Sequence, residues 1–458
     1  MLDVDVRPLL YNQNPWWTYS NYLIPEAVYP HRDAYPEIKN QTHLNPITAV
    51  VGLRRTGKTT LLKQLIAELL TTSHVPAKAI LFFSFDQLLV NRNTELLSGI
   101  IDAFLDRIIG RKIWELDSPV YIFLDELQYV LDWQTILKRY YDQTKKIKFF
   151  LSGSASLYVK EKSKESLAGR MLTVNLGVLN FREYLRLGNA GIEIPDCSLE
   201  MCDIKGIAEV QAAYAGKIDG LFENFLIKGQ FPEVITEGLS DEHAGQYIMD
   251  SVLTKILEID IPLYFNIKGS EEIKSLFRIA AVETGNVIEY GTIARDVGIS
   301  RNTVAQYYSW LEKAFLISML YNFTKSVRKQ VRTMKKCYSA STNFSALASV
   351  PVPSAVIPTD ALGHYAETYV HNILSSRYPA LHFIRRRDKE VDFIVPSSSG
   401  YLPIEVKYSR RVDSRELKNL KHFMNYFQAK RAIVLTRNIA GHIEHGGFKI
   451  CLIPVWAL

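Results

Sequence analysis

Gly52-Leu53-Arg54-Arg55-Thr56-Gly57-Lys58-Thr59 is the stretch that decides the fold. It follows an apolar run, Ile47 to Val51, and opens an amphipathic stretch from Thr60 to Leu70. That order reads as strand, glycine loop, helix. In such a loop the backbone N–H groups and the positive end of the helix cradle phosphate. Lys58 reaches the β- and γ-phosphates, and the Thr59 hydroxyl ligates Mg²⁺. The candidate nucleotide-binding residues are therefore Gly52, Arg54, Arg55, Thr56, Gly57, Lys58, Thr59 and Thr60, with ATP and Mg²⁺ as the expected ligands. Lys58 is also a catalytic candidate.

A second run agrees with the first. Tyr121 to Leu124 is short and apolar, as a buried parallel strand is, and it ends in Asp125-Glu126. Asp125 is placed to hold Mg²⁺ through water, and Glu126 to orient or deprotonate the water that attacks the γ-phosphate. A third run, Lys148 to Leu151, enters Ser152-Gly153-Ser154, where AAA-type ATPases place a polar residue that senses the γ-phosphate. Either serine suits that role, and Ser154 is counted among the nucleotide-binding candidates.

At 458 residues the chain is long enough for about three domains, and 47% hydrophobic content is that of ordinary globular cores. A formal net charge of +6 permits a nucleic-acid partner without demanding one. From Tyr321 to Leu347 the charged residues are all basic: Lys325, Arg328, Lys329, Arg332, Lys335 and Lys336. Cys197, Cys202, Cys337 and Cys451 lack paired spacing, so neither a zinc site nor a disulfide framework is expected. With no run of 18 apolar residues and no charged and apolar leader at Met1-Leu2-Asp3, no membrane contact is expected and the cytoplasm is the default location.

The chain reads as successive parts. Residues 1–45 form a loop-rich segment, and residues 46–185 alternate apolar strands with helical patterns, which predicts a parallel sheet covered by helices. The strands are Ile47 to Val51, Ala79 to Phe85, Tyr121 to Leu124, Lys148 to Leu151 and Leu172 to Leu176. Residues 186–270 turn helical, as a lid does. Residues 271–329 carry a helix-turn-helix pattern that predicts a winged helix: Gly291 to Val297, the turn Gly298-Ile299-Ser300, then Arg301 to Tyr308. Ser300 is placed to cap the second helix. Arg301, Asn302, Thr303 and Gln306 would meet DNA; the other reading makes the module a protein-packing surface.

Residues 330–458 hold a second chemical constellation. Glu367 lies in a helical stretch, Asp392 in the strand Val391 to Val395, and Glu405 and Lys407 in the strand Leu402 to Lys407. The hairpin brings Asp392 and Glu405 within reach of one Mg²⁺ ion. Two carboxylates that bind the metal, a metal that activates water, and a lysine that stabilises charge are the logic of the PD-(D/E)xK nucleases.

Together these motifs resemble a family of AAA-type, STAND-like P-loop ATPases that carry a winged helix and a C-terminal restriction-endonuclease-like domain. The resemblance also rests on Leu151-Ser-Gly-Ser154, Leu167-Ala-Gly-Arg170, Phe181-Arg-Glu-Tyr184, Gly229-Gln-Phe-Pro-Glu233, Glu390-Val-Asp-Phe393 and Ile404-Glu-Val-Lys407. It implies an α/β fold: an AAA-type parallel sheet, a helical lid, a winged helix and an α/β nuclease-like domain. It further implies that Arg170 acts on the γ-phosphate. Where that family has an aspartate after the tyrosine of the strand that starts its last domain, this chain has Tyr338-Ser339-Ala340-Ser341.

Two functions stay open on these grounds. One is an ATP hydrolase coupled to DNA binding and Mg²⁺-dependent DNA cleavage. The other is an ATP-dependent switch whose C-terminal half only binds a partner, which is a protein or another copy of the chain.

Overall fold

The computed structural model describes residues 7–86, 94–153, 167, 169–195, 197–200, 202–265, 267, 270–326, 333–349, 359–398, 400–413, 415–445 and 447–458. They fall into two compact units that divide between Gly177 and Val178.

The first unit is built on five parallel strands: β1 (Ile47–Val51), β2 (Ile80–Ser84), β3 (Val120–Asp125), β4 (Ile147–Gly153) and β5 (Met171–Asn175). Their spatial order is β2-β3-β4-β1-β5. Each strand expected from the sequence is present within two residues of its predicted ends. Every residue of β1 and β4 is buried, and both are mostly apolar, with Thr48 in β1 and Lys148 and Ser152 in β4 as the polar exceptions. Helix Lys58–Thr71 follows β1 and buries Leu61, Leu62, Leu65, Ile66 and Leu69.

Strand β2 is an edge, and an open edge exposes a row of unpaired N–H and C=O groups. The N-terminal segment, which the sequence marks only as loop-rich, covers it with side chains. Asn14 accepts from the Phe82 N–H at 2.6 Å and donates to the Phe82 carbonyl at 2.8 Å. Gln13 accepts from the Ser84 N–H at 2.7 Å, and the indoles of Trp16 and Trp17 both donate to the Ile80 carbonyl. Two amides and two indoles thus do the work of a sixth strand.

The second unit opens with helices and closes on a mixed sheet. Helix Phe181–Leu187, on the far side of the division although most of it falls within 46–185, is held there by its aromatic face. Phe181 packs on Phe222 and Phe225, and Phe222 on Tyr369. Helices Lys217–Lys228 and Asp241–Ile248 follow. Next come helices Glu271–Val282, Tyr290–Val297 and Arg301–Lys313, then an antiparallel hairpin of β6 (Ile317–Tyr321) and β7 (Lys335–Ser339). Ser300 caps the third of these helices by accepting from the Thr303 N–H at 3.1 Å.

Strands β8 (His382–Arg386), β9 (Lys389–Ser397), β10 (Gly400–Lys407), β11 (Arg431–Thr436), β12 (Gly441–His445) and β13 (Phe448–Pro454) form a sheet in the order β12-β13-β11-β10-β9-β8. One face packs Phe393, Ile404 and Leu435 with Tyr369 and Leu374 of helix Thr359–Arg377. The other packs Ile394 and Val434 with Leu420 and Phe423 of helix Lys418–Phe427.

Two expectations change here. Cys197 and Cys202 form a disulfide, because a local antiparallel bridge sets their Cα atoms 4.4 Å apart. Spacing without a C-x-x-C pair gave no sign of it. The departure Tyr338-Ser339-Ala340-Ser341 is a buried connector, not part of a metal site. Ser341 donates to the Gln230 side chain at 2.7 Å, Gln230 donates through its backbone N–H to Asn343 at 2.9 Å, and Asn372 donates to the Ser339 and Ala340 carbonyls. Among the described residues no helix is long and apolar enough to cross a membrane.

Asn14→Ala removes both side-chain partners of Phe82 on the β2 edge. It is expected to cost about 2 kcal/mol in urea unfolding. Asn14→Asp, which keeps the acceptor but turns a buried carboxylate oxygen onto the Leu10 and Phe82 carbonyls, should cost at least as much; equal stability of all three proteins contradicts the edge assignment.

Candidate functional site

Strand register gathers the first site. Val50 pairs with Ser152 and Leu124 with Leu151, so the ends of β1, β3 and β4 are level. The chain leaves β1 at Gly52, where an added Cβ would lie 2.0 Å from the Leu176 carbonyl oxygen; only glycine passes that point. Left-handed backbone at Arg55 (φ 62°) and Gly57 (φ 92°) curls the loop into helix Lys58–Thr71. Thr56 is buried and donates to the Leu53 carbonyl at 3.0 Å. Arg55 is exposed and Thr60 half-buried.

Lys58 is 4% exposed and folds back onto the loop, donating to the Leu53 carbonyl at 2.7 Å and the Gly52 carbonyl at 3.3 Å. Thr59 donates to the Asp125 carboxylate at 2.9 Å, and Ser152 donates to its other oxygen. The same Ser152 hydroxyl accepts from the Glu126 N–H at 3.0 Å. Burial and the neighbouring Glu126 push Asp125 up to about 6, against the pull of the Ser152 and Thr59 hydrogen bonds and of Lys58. A hydroxyl beside a carboxylate is the donor set that octahedral Mg²⁺ takes with waters and phosphate, so the residues fit that ion.

Several partners escape any sequence motif. Ser152 bridges Asp125 and Glu126; Ser154 lies outside the described residues. Gln128 donates to the Glu126 carboxylate, and Arg54 donates to the Tyr129 hydroxyl. Arg32 donates to the Thr56 carbonyl at 2.5 Å and to the Gly177 carbonyl at 3.0 Å, fixing the loop from outside. Arg170 lies apart from the loop. Its carbonyl accepts from the Ile47 N–H, at the start of β1, and its guanidinium is on Asp142 at 2.9 Å. The length of β1, about 16 Å, separates it from the loop, so it does not reach this chain's own phosphate site.

The second constellation also assembles. On β9 the pairing with β8 slips between His382–Ile394 and Ile384–Val391, leaving an extra residue at Asp392-Phe393. Such a bulge re-aims a side chain. Asp392 accepts from the Val406 N–H of β10 at 2.8 Å, immediately past the last hairpin pair, Ile404–Phe393. Glu405 pairs with Lys407 at 2.7 Å; its second carboxylate oxygen is buried without a hydrogen-bond partner. Glu367 accepts from the Tyr338 hydroxyl at 2.7 Å and from Lys336 at 3.1 Å. Lys336 also reaches Glu390 at 2.8 Å, and Glu390 reaches Arg385 at 2.9 Å.

Charge explains the burial. Burial pushes Glu405 up to about 8, helped by Asp392 and opposed by Lys407. Burial and Glu367 push Asp392 up to about 6, opposed by Lys336. For Lys336, burial works against the ammonium, but Glu367, Asp392 and Glu390 outweigh it and hold the proton. Lys336 is therefore no member of a phosphate-facing basic strip, as its place in 321–347 suggests. A divalent cation does not fit this arrangement: the carboxylates are already engaged by Lys336, Lys407, Tyr338 and Val406. Among the described residues no cluster of three or more His, Cys, Asp or Glu side chains is set to hold a metal.

The fold and the first site define a P-loop nucleotide-binding unit. Residues 44–185 match the family described as an AAA domain, and this part of the chain has the AAA-type P-loop ATPase fold. Residues 219–344 and 362–457 match two families, each described as a domain of unknown function. An uncharacterized protein of Methanocaldococcus jannaschii is 25% identical over 379 residues, spanning 81% of this chain and 77% of that protein. One from Haemophilus influenzae is 20% identical over 428 residues, spanning 90% and 94%. Among solved structures, a Walker-type ATPase of Pyrococcus abyssi is 13% identical with a TM-score of 0.39, over 71% of this chain and 97% of that one.

The fold favours Glu405 neutral. That contribution is complete below its ordinary value of 4.5 and is lost as pH rises through about 8. Stability of the second unit should therefore fall across this window, and Glu405→Gln should flatten the slope there. An unchanged slope in equilibrium unfolding at stepped pH contradicts the burial of a neutral Glu405.

Proposed function

We propose that the chain hydrolyses ATP and uses the cycle to switch a C-terminal half that binds DNA. The observation that carries the first part is the shared carboxylate: Asp125 is gripped by Thr59 and Ser152, with Glu126 next in sequence. On ATP binding the loop N–H groups take the β-phosphate, and Lys58 leaves the Leu53 and Gly52 carbonyls for the phosphate oxygens. Thr59 and Asp125 would hold Mg²⁺, which when bound would supply neutralisation of the charge that develops on the phosphates. Glu126 accepts a proton from the attacking water or aligns it, and Ser152 keeps Asp125 and the Glu126 backbone in fixed relation.

DNA is the proposed partner because Arg301, Asn302 and Gln306 are exposed on a capped helix that precedes a hairpin, the order of elements in a winged helix. Lys325 is exposed as well, and Lys335 lies over the Tyr290 ring at 4.9 Å. Arg328, Lys329 and Arg332 lie outside the described residues.

A second reading, a metal-dependent nuclease, is favoured by the gathering of Asp392, Glu405, Lys407 and Glu367 and by the buried, partnerless Glu405 oxygen. In it Asp392 and Glu405 hold the ion, and Lys407 stabilises charge. The engaged carboxylates rank it second.

Lys58→Ala should abolish nucleotide binding, whereas Glu126→Gln should bind ATP like the parent and release almost no phosphate. Turnover at the parent rate by Glu126→Gln removes the role given to that carboxylate. With plasmid DNA, binding should weaken at least about tenfold from about 50 to about 200 mM salt, as contacts to two or three phosphates require. The plasmid should stay intact with Mg²⁺ or Mn²⁺, with or without ATP. Cleavage that Asp392→Ala abolishes establishes the nuclease instead.

A further inference from the structure

The second unit carries a built binding place for one positive charge, and a side chain of the chain fills it. Lys336 projects from β7 into a cage with walls from three other elements. Glu367 comes from helix Thr359–Arg377 at 3.1 Å, Glu390 from β9 at 2.8 Å, and the ring of Phe383 from β8 faces the ammonium at 5.6 Å. Lys336 is 4% exposed, deeper than any surface ion pair requires. An ammonium is a compact point charge with three donors, the closest side-chain counterpart of a small hard cation.

We infer that the Lys336 ammonium is the resident cation of this carboxylate cluster, so that the chain holds no divalent ion there and gains such a site only when that ammonium is removed.

The charge count supports this. With Glu405 held neutral, Glu367, Glu390 and Asp392 supply three negative charges, and Lys336, Lys407 and Arg385 supply three positive ones. With Lys336 the cluster balances; without it one negative charge is in excess, and loss of the Glu405 proton supplies the second that a divalent cation needs. Two like-charged centres do not share a dry cage. Lys407 cannot substitute, because it is engaged by Glu405 at 2.7 Å. The neighbouring Lys335 turns to the rings of Tyr290 and Tyr321, so of these two adjacent lysines it is Lys336 that enters the cluster.

The inference goes beyond the proposed ATPase and DNA binding and is tested without either activity. Mn²⁺ is titrated into the nucleotide-free full chain, with bound metal counted by equilibrium dialysis. The same titration is run on Lys336→Met, Lys336→Gln and Lys336→Met/Glu405→Gln, and on Glu405→Gln alone. An unchanged far-ultraviolet spectrum and a cooperative urea unfolding transition mark a folded variant. The parent is expected to bind no Mn²⁺ that Glu405→Gln removes. Lys336→Met or Lys336→Gln is expected to gain roughly one Mn²⁺ per chain, lost again in the double variant. A parent that binds Mn²⁺ in a manner abolished by Glu405→Gln overturns the inference, whether or not the variants fold. So does a folded Lys336→Met or Lys336→Gln that gains none. Loss of ATP turnover or of DNA binding in the parent bears on the proposed function and leaves this metal count standing.

Discussion

One buried carboxylate organises the nucleotide unit. Asp125 stands at the end of a strand with no solvent to hydrate it, and an ion so placed is tolerated only when donors surround it. Thr59 and Ser152 provide them: one from the helix after β1, two strands away in the sheet, the other from the adjacent β4. The requirement fixes the register of three strands at their C-terminal ends, where ligands of open α/β sheets bind. The glycine at position 52 and the left-handed turn at Gly57 follow from the same crowding, since β5 continues into Leu176 directly against the loop.

The sheet that presents this carboxylate must also be closed at its edge. Strand β2 is closed by side chains of a segment with no sheet character. A primary amide carries an acceptor and a donor in the spacing of a peptide group, so Asn14 pairs with Phe82 as a strand residue would. The segment therefore contributes to the fold of the nucleotide unit although it lies before the first strand.

In the second unit the constraint is electrical neutrality in a dry place. The β9 bulge turns Asp392 toward Glu367 and Glu405, which by itself crowds like charges. Lys336 and Lys407 relieve that crowding, Tyr338 donates to Glu367 and the Val406 N–H to Asp392, and one Glu405 oxygen stays buried without a partner. The polar connector through Gln230, Ser341 and Asn343 keeps β7, which carries Lys336, in place against the helices.

The sequence alone determined the parallel sheet, the loop and the identities of Lys58, Thr59, Asp125 and Glu126, because a strand buried on both faces must be apolar throughout and a phosphate loop must spend glycines where backbone crowds. It also marked Asp392, Glu405 and Lys407 as neighbours, since a two-strand hairpin sets their spacing, while Glu367 was placed on a helix. Only the tertiary structure decided what those groups touch. Lys336 reads as one more cation in a basic strip, yet β7 carries it into the carboxylates. Ser152 and Ser154 are equivalent in sequence, but the level of β4 against β3 sets Ser152 on Asp125. Arg170 lies near the loop in the family pattern and a strand length away in space. Such contacts depend on register between strands remote in sequence and on the direction of a bulge, and no local spacing encodes either.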